Sequence, residues 1–211
     1  MYKIIACLAA FGLASPAMAA TLELRALAFG IDAVNAVDET AGTVLEAGAT
    51  FDADIVTGTT PGFGTSPYEV LGAGNFETLS FFSVNDTLGS TGPFTATLLL
   101  ANDTQVLEFL WGTPDFAGIA GSLTNSIEVF SDGVSLGTLD LTDLVPAFMP
   151  PRDTTLTRIV SDMMFDEVRF SSTRNSFELA NISTTAVPVP GAFVLMAGGL
   201  ALAGMRKRKA A

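Results

Sequence analysis

Short apolar and β-branched runs, closely spaced between turn-forming residues, constrain this fold more than any other feature of the sequence. In residues 94–101, Thr95 and Thr97 alternate with apolar neighbours, as the two faces of a half-buried strand require. No long stretch carries a helical period. The sequence therefore predicts an all-β domain without helices between its strands.

The same criteria predict strands throughout the body of the chain, at 22–30, 51–57, 76–84, 94–101, 104–111, 127–130, 134–141, 163–171 and 177–184. A turn is expected at Asn102-Asp103, and Ser131-Asp132-Gly133 predicts a hairpin of the Asp-Gly type. Residues 140–145 fit a single helical turn, and 58–74 form the longest loop candidate. The pattern favours one jelly-roll-like β-sandwich, since the immunoglobulin Cys-Trp-Cys pattern is missing.

The first 19 residues have the organisation of a secretory signal. Lys3 precedes an apolar segment at 4–13, and Ala17-Met18-Ala19 forms an A-x-A cleavage site. We expect a signal helix that is removed, with a mature chain beginning at Ala20.

A second apolar segment lies near the other end of the sequence. Residues 192–205 are uncharged, and with 187–191 they make 19 residues, about enough for a helix to cross a bilayer. Four basic residues follow, which favours a cytoplasmic position for this end: Arg206, Lys207, Arg208 and Lys209. The sequence thus predicts a transmembrane helix with the body of the chain outside the cell.

A proline motif precedes this apolar segment: Val187, Pro188, Val189, Pro190 and Gly191. Motif, apolar run and basic end together resemble the PEP-CTERM class of bacterial sorting domains, in particular its VPLPA-CTERM variant. Val189 replaces the usual Leu, and Gly191 replaces the usual Ala. The resemblance implies recognition by an exosortase-type membrane enzyme, removal of the tail, and release or attachment at the cell surface.

Part of the body is similar to β-sandwich domains of PEP-CTERM proteins. The matching residues are a Trp-Gly-Thr-Pro-Asp turn at 111–115, an Asn-x-Ile-x-Val-Phe strand at 125–130, and a closing strand pair at 165–182. This resemblance implies the fold and an exported protein. It brings no catalytic residues.

Charge and residue usage narrow the possible functions of the predicted domain, residues 20–184. Without the signal at 1–19 and the tail at 185–211, the chain keeps five arginines and all 22 acidic residues, a net charge of −17. This acidity argues against nucleic acid as a partner. The sequence has no histidine, and its one cysteine, Cys7, leaves with the signal, so histidine-dependent catalysis and disulfides are excluded.

Two candidate sites remain in the body. Trp111 with Asp115 and Asn125 could form a glycan platform, because an exposed aromatic ring can stack on a sugar. Asp52 and Asp54 fall on one face of a predicted strand, and Asp140 and Asp143 flank a turn; such oxygen clusters suit a structural calcium ion. No catalytic residue and no other cofactor is predicted.

The preferred function is a non-catalytic surface or matrix protein, sorted by an exosortase into an exopolysaccharide-rich envelope or biofilm. Its precursor would be attached to the membrane through the tail. One alternative is a carbohydrate-binding module or weak carboxylate-based glycan hydrolase on the same scaffold. The other is a protein anchored permanently by its C-terminal helix.

Overall fold

The computed structural model describes residues 20–58, 66–68, 79–84, 93–112, 125–145, 154–173 and 177–185. These residues form an all-β domain whose ten strands belong to one hydrogen-bonded sheet. The strands are Leu22–Phe29 (β1), Thr50–Phe51 (β2), Asp54–Thr57 (β3), Ser80–Val84 (β4), Phe94–Trp111 (β5), Asn125–Ser131 (β6), Val134–Asp140 (β7), Leu144–Val145 (β8), Thr155–Ser172 (β9) and Phe177–Thr184 (β10).

Two 18-residue strands, β5 and β9, organise the sheet. They pair antiparallel from Phe94 opposite Ser172 to Trp111 opposite Thr155, with one interruption near the middle. The register shifts between Leu99 and Val106, so that residues 100–103 and 161–164 lie between two regular ladders. The sequence predicted that a turn at Asn102-Asp103 separates two strands. This prediction is wrong, because the chain continues as β5 through these residues.

The shift divides the sheet into two halves. In the first, the order is β2-β5-β9-β6-β7; in the second, it is β3-β4-β10-β5-β9-β1-β8. All of these pairings are antiparallel except that of β1 with β8. Because β5 and β9 contribute to both halves, each is about three times as long as a typical strand.

The two halves face each other across a common core. Phe51 of the first half lies 4.9 Å from Phe82 of the second, measured between ring centroids, and Phe170 lies 5.5 Å from Phe109. The core-facing positions alternate along the strands, as in Leu107, Phe109 and Trp111. Burying each such large side chain contributes about 1.5–3 kcal/mol, so this shared core is the main stabilising feature.

A second apolar cluster covers the outer face of the second half. The helix Gly30–Asn35 (α1) buries Ala33 and Val34 against this face, together with Tyr68, Phe81 and Leu110. The prediction of no helices between strands is wrong here. With six residues, α1 is too short to show a helical period in the sequence, and it is held by tertiary packing.

Two other local predictions, the hairpin and the single helical turn, are confirmed. Strands β6 and β7 form the predicted hairpin, with positive φ at both turn residues, 50° at Asp132 and 74° at Gly133. The predicted single helical turn is a 3₁₀ turn at Leu141–Asp143. The predicted strand at 51–57 is split into β2 and β3 by a bend at Asp52 and Ala53.

The predicted signal helix and transmembrane helix lie outside the described residues. Within the described ranges, no helix has both the length and the apolar character that crossing a membrane requires.

Candidate functional site

Trp111 is the last residue of β5 and belongs to the hydrophobic core. Its side chain is fully buried, and its indole stacks on Phe177 with a centroid distance of 4.6 Å and an interplanar angle of 14°. A buried ring has no free face for a sugar. The prediction that Trp111 is an exposed stacking platform is therefore wrong. The ring packs inside the hydrophobic core, where Phe177 already occupies the stacking position.

Asn125 begins β6 and is only 2% exposed. Its side chain shares the core-facing side of the strand with Ile127 and Val129, since alternate residues of a strand face the same way. Neither its amide nitrogen nor its carbonyl oxygen has a hydrogen-bond partner among the described residues, and the same holds for Nε1 of Trp111. Asp115, the third residue of the predicted glycan site, lies outside the described residues.

Trp111 and Asn125 lie at the same end of the domain. Trp111 is opposite Thr155, where β9 begins, and Asn125 is opposite Ser172, where β9 ends. Phe177 stacks on Trp111 and also lies 5.3 Å from Phe170, two residues before the end of β9, so both ends of β9 lie at one end of the core. The structure thus brings together two of the three residues that the sequence singled out, with their polar atoms inside the core. We call this the loop end.

Asp52 and Asp54 line a cleft of about 380 Å³. The bend between β2 and β3 separates them, and the carboxylate of Asp52 accepts a hydrogen bond from the backbone amide of Thr97 at 2.5 Å. The cleft lies between the two halves of the sheet, with Ser83 and Val84 on one side and residues 93–96 on the other. The sequence predicted both carboxylates on one face of a single strand. The structure instead interrupts that strand between them and places both at a concave surface.

The side chains of Asp140 and Asp143 accept hydrogen bonds from backbone amides at a turn. The carboxylate of Asp140 accepts a 2.7 Å hydrogen bond from the amide of Thr142, while Asp143 accepts one of 2.8 Å from the amide of Asp140. This reciprocal arrangement is a capping box on the 3₁₀ turn. The pattern that suggested calcium ligands thus serves to satisfy backbone amides at the end of β7.

The predicted calcium site lacks a complete set of ligands among the described residues. Among the described residues, no group of three or more His, Cys, Asp or Glu side chains is placed to hold a metal ion.

A second cleft, of about 350 Å³, lies beneath the segment that follows α1, and no sequence motif had indicated it. Its apolar lining includes Val37, Val44 and Leu156, and its polar lining includes Asp38 and Glu108. Hydrogen bonds from the hydroxyl and the amide of Thr40 hold the pKa of Asp38 below its ordinary value. The cleft depends on long-range packing of residues 36–44 against the sheet, which no local motif encodes.

Three described arginines are paired with glutamates. Arg158 on β9 donates to Glu108, its direct neighbour on β5, with Nε 2.7 Å from Oε1. Arg169 donates to Glu167 at 2.6 Å, and its guanidinium lies 4.1 Å from the centre of the Phe130 ring. Arg25 pairs with Glu23, which lowers the pKa of the glutamate and raises that of the arginine.

The predicted sorting and cleavage residues all lie outside the described ranges: Ala17, Ala19, Val187 to Gly191, and Arg206 to Lys209. Comparison of the chain with known proteins finds no match among protein-family models, curated protein sequences or solved structures.

Proposed function

We propose that the protein is exported and held by its tail, and that it serves as a non-catalytic component of the cell surface or extracellular matrix. In this proposal the signal at 1–19 is removed, residues 20–184 form the functional domain, and 185–211 is the sorting tail. An exosortase-type enzyme would recognise the motif at 187–191 and process the precursor.

One observation carries this proposal: both ends of the domain leave it at the same side. The amide of Thr21 donates to the Asp162 carboxylate at 2.8 Å, and the amide of Thr185 donates to the Val106 carbonyl at 3.3 Å. Both contacts lie at the register shift of β5 and β9, opposite the loop end. We call this the tether end.

The spacing of the two exits follows from the strand order. Strands β1, β9, β5 and β10 are consecutive neighbours, so the entry and exit strands are three spacings, or about 14 Å, apart. A tail that begins at Thr185 would hold the domain by its tether end. The loop end, with Trp111 and Asn125, would then face away from the membrane.

Composition supports a non-catalytic role for the domain. It has neither histidine nor cysteine after signal removal, and a net charge of −17 favours solubility outside the cell. Several described carboxylates already have structural partners: Asp140 and Asp143 cap a turn, and Glu108 pairs with Arg158.

The finer fold assignment is also a proposal. We infer a jelly-roll-like β-sandwich, because the two halves of the sheet face each other and share one aromatic core. The continuous strands β5 and β9 would link its two layers.

Intact-mass spectrometry of the native protein, from cells with and without the exosortase, tests the proposed function. We expect a chain that starts at Ala20 and lacks the basic end when the enzyme is present, and a longer, membrane-attached chain when it is absent. Changing Pro188 and Pro190 to Ala should give the longer form in both strains, whereas Thr185→Ala should be processed normally. A stable species that retains Arg206–Lys209 in cells with the enzyme would instead support permanent anchoring.

A further inference from the structure

The second cleft, beneath the segment that follows α1, combines apolar walls with carboxylates. Val37 and Val44 come from that segment, and Ile182 comes from β10 below it. Asp38 adds a carboxylate from the segment, and Glu108 adds one from β5. A concave apolar surface on which a few polar groups converge is the usual form of a small-molecule site. The volume of about 350 Å³ suits a ligand of modest size.

Each of the two carboxylates keeps one oxygen for a ligand. Oδ1 of Asp38 accepts hydrogen bonds from the hydroxyl and the amide of Thr40, at 2.7 and 3.0 Å. Oε1 of Glu108 accepts from two nitrogens of the Arg158 guanidinium. No described residue donates to Oδ2 of Asp38 or to Oε2 of Glu108. The partners therefore fix the two side chains and leave the second oxygens available.

Ser183 adds a third acceptor to the same cleft. It lies on β10 directly opposite Glu108 on β5, so the two side chains are neighbours on one face of the sheet. Within the described ranges, its hydroxyl has no hydrogen-bond partner. The described residues that line the cleft include neither lysine nor arginine. The cleft thus offers three oxygen acceptors beside an apolar surface, without a cation of its own to neutralise them.

We propose that this cleft binds a small molecule with an apolar body and a primary ammonium group. An ammonium has three N–H donors and no acceptor, which matches the three oxygens of Asp38, Glu108 and Ser183. The apolar body would pack on Val37 and Val44. An alcohol has only one donor, and a carboxylate would face two groups of its own charge.

The charge of the whole domain favours the same ligand. With a net charge of −17 after loss of both ends, the domain attracts cations at long range and repels anions. Hydrogen bonds from Thr40 hold the pKa of Asp38 below its ordinary value, so this carboxylate is ionised at neutral pH. The inference goes beyond the proposed surface role and does not depend on processing of the tail, so either proposal can fail without the other.

Calorimetry on the full chain in a non-ionic detergent tests the proposal with three probes that share one apolar body. Phenethylamine carries the ammonium group, phenethyl alcohol is neutral, and hydrocinnamate is anionic. We expect saturable binding of the amine, binding at least tenfold weaker for the alcohol, and none for the anion, since hydrogen bonds between charged groups are the stronger ones.

Three variants test how the site recognises the amine. Asp38→Asn keeps an oxygen for Thr40 but loses the charge, so it should weaken amine binding about tenfold and leave alcohol binding unchanged. Asp132→Asn is the matched control. It removes one charge at the β6–β7 turn, where Asn tolerates the positive φ, and should leave both affinities unchanged. Val44→Ser removes apolar surface at a residue that is 62% exposed and should weaken both probes alike.

A chain that binds none of the probes at millimolar concentration would overturn the proposal, and so would equal affinities for the amine and the alcohol. Equal weakening by Asp38→Asn and Asp132→Asn would also overturn it, because net charge alone would then account for binding. If Asp38→Asn fails to fold, Ser183→Ala decides the question, since it removes the third acceptor at an exposed position. Unchanged amine affinity in that variant would contradict the site.

Discussion

The phenolic hydroxyl of Tyr68 donates a 2.6 Å hydrogen bond to Oδ1 of Asn181. Asn181 has a φ of 51°, and its side-chain nitrogen donates in turn to the carbonyl oxygen of Asp38 at 2.6 Å. A residue in a bulge of β10 thus connects the segment after α1 to the sheet, and this connection positions the wall of the second cleft.

Tyr68→Phe should lower the free energy of unfolding by about 1–2 kcal/mol, because it removes the donor to a part-buried oxygen while the ring still packs. Denaturant unfolding measures the change. Asn181→Gly, which permits the left-handed backbone but loses both side-chain bonds, should cost at least as much, and Asn181→Ala more still. Equal stability of the Gly and Ala variants would contradict the assigned backbone strain.

Gly42→Ala should destabilise the protein by about 2 kcal/mol or more, as overpacking does in a close-packed site. A Cβ atom at this position would lie 2.3 Å from the Tyr68 hydroxyl and 2.5 Å from the carbonyl oxygen of Ser80. Gly133→Ala is the control, since a Cβ there meets no atom within 4 Å and only the positive φ opposes it, at about 1 kcal/mol. Thermal unfolding of both variants makes the comparison, and a smaller loss for Gly42→Ala would contradict it.

Glu108→Gln should cost about 0.5–1 kcal/mol, because the ion pair with Arg158 is only partly shielded from solvent. The loss should shrink as salt is added. A double-mutant cycle with Arg158→Gln, measured by urea unfolding at low and high salt, gives the coupling. A coupling that does not depend on salt would show that the contribution is not electrostatic.

The carboxylate of Asp38 should contribute to stability only while it is ionised. Its pKa is lowered in the folded state, first by the Thr40 hydroxyl and then by the Thr40 amide. This contribution is therefore complete above the unfolded value, near pH 4, and is lost as the pH falls through the folded pKa. An NMR titration should show that Thr40→Val raises the pKa of Asp38. An unchanged pKa would mean that the hydroxyl is not the main cause.

Asp140→Ala should lower stability by about 0.5–2 kcal/mol through loss of the cap, whereas Asp140→Asn should lose much less because it keeps the oxygen that accepts from Thr142. Melting curves with calcium and with a chelator separate this role from metal binding. A loss of equal size in both variants, present only with calcium, would restore the metal hypothesis for this residue.

Part of the fold could be predicted from local patterns. Strands β1 and β10 and the β6–β7 hairpin follow from alternation and from Asp132-Gly133, both of which act over a few residues. Asn102-Asp103 does lie at an irregularity of the strand, but this irregularity is the register shift between the two halves of the sheet and not a turn. The early part of β9, residues 155–162, was missed because its apolar positions are interrupted by Thr157 and Arg158.

The candidate site was predicted only in part. Trp111 and Asn125 were identified by residue type, but their burial depends on β9 returning to its starting end, which is a long-range feature. The side chains of Asp140 and Asp143 satisfy backbone amides three residues apart, so a capping box could have been recognised from their spacing.

The sequence by itself determined where many of the strands can form and how the hairpin turns, and it predicts an export signal and a sorting signal at its two ends. Tertiary structure decided that β5 and β9 run through both halves of the sheet, that Thr21 and Thr185 leave from one end, and that Trp111 and Asn125 turn their polar atoms into the core at the other. The physical reason is that strand pairing joins residues far apart in the chain, whereas propensity and turn chemistry act only between near neighbours.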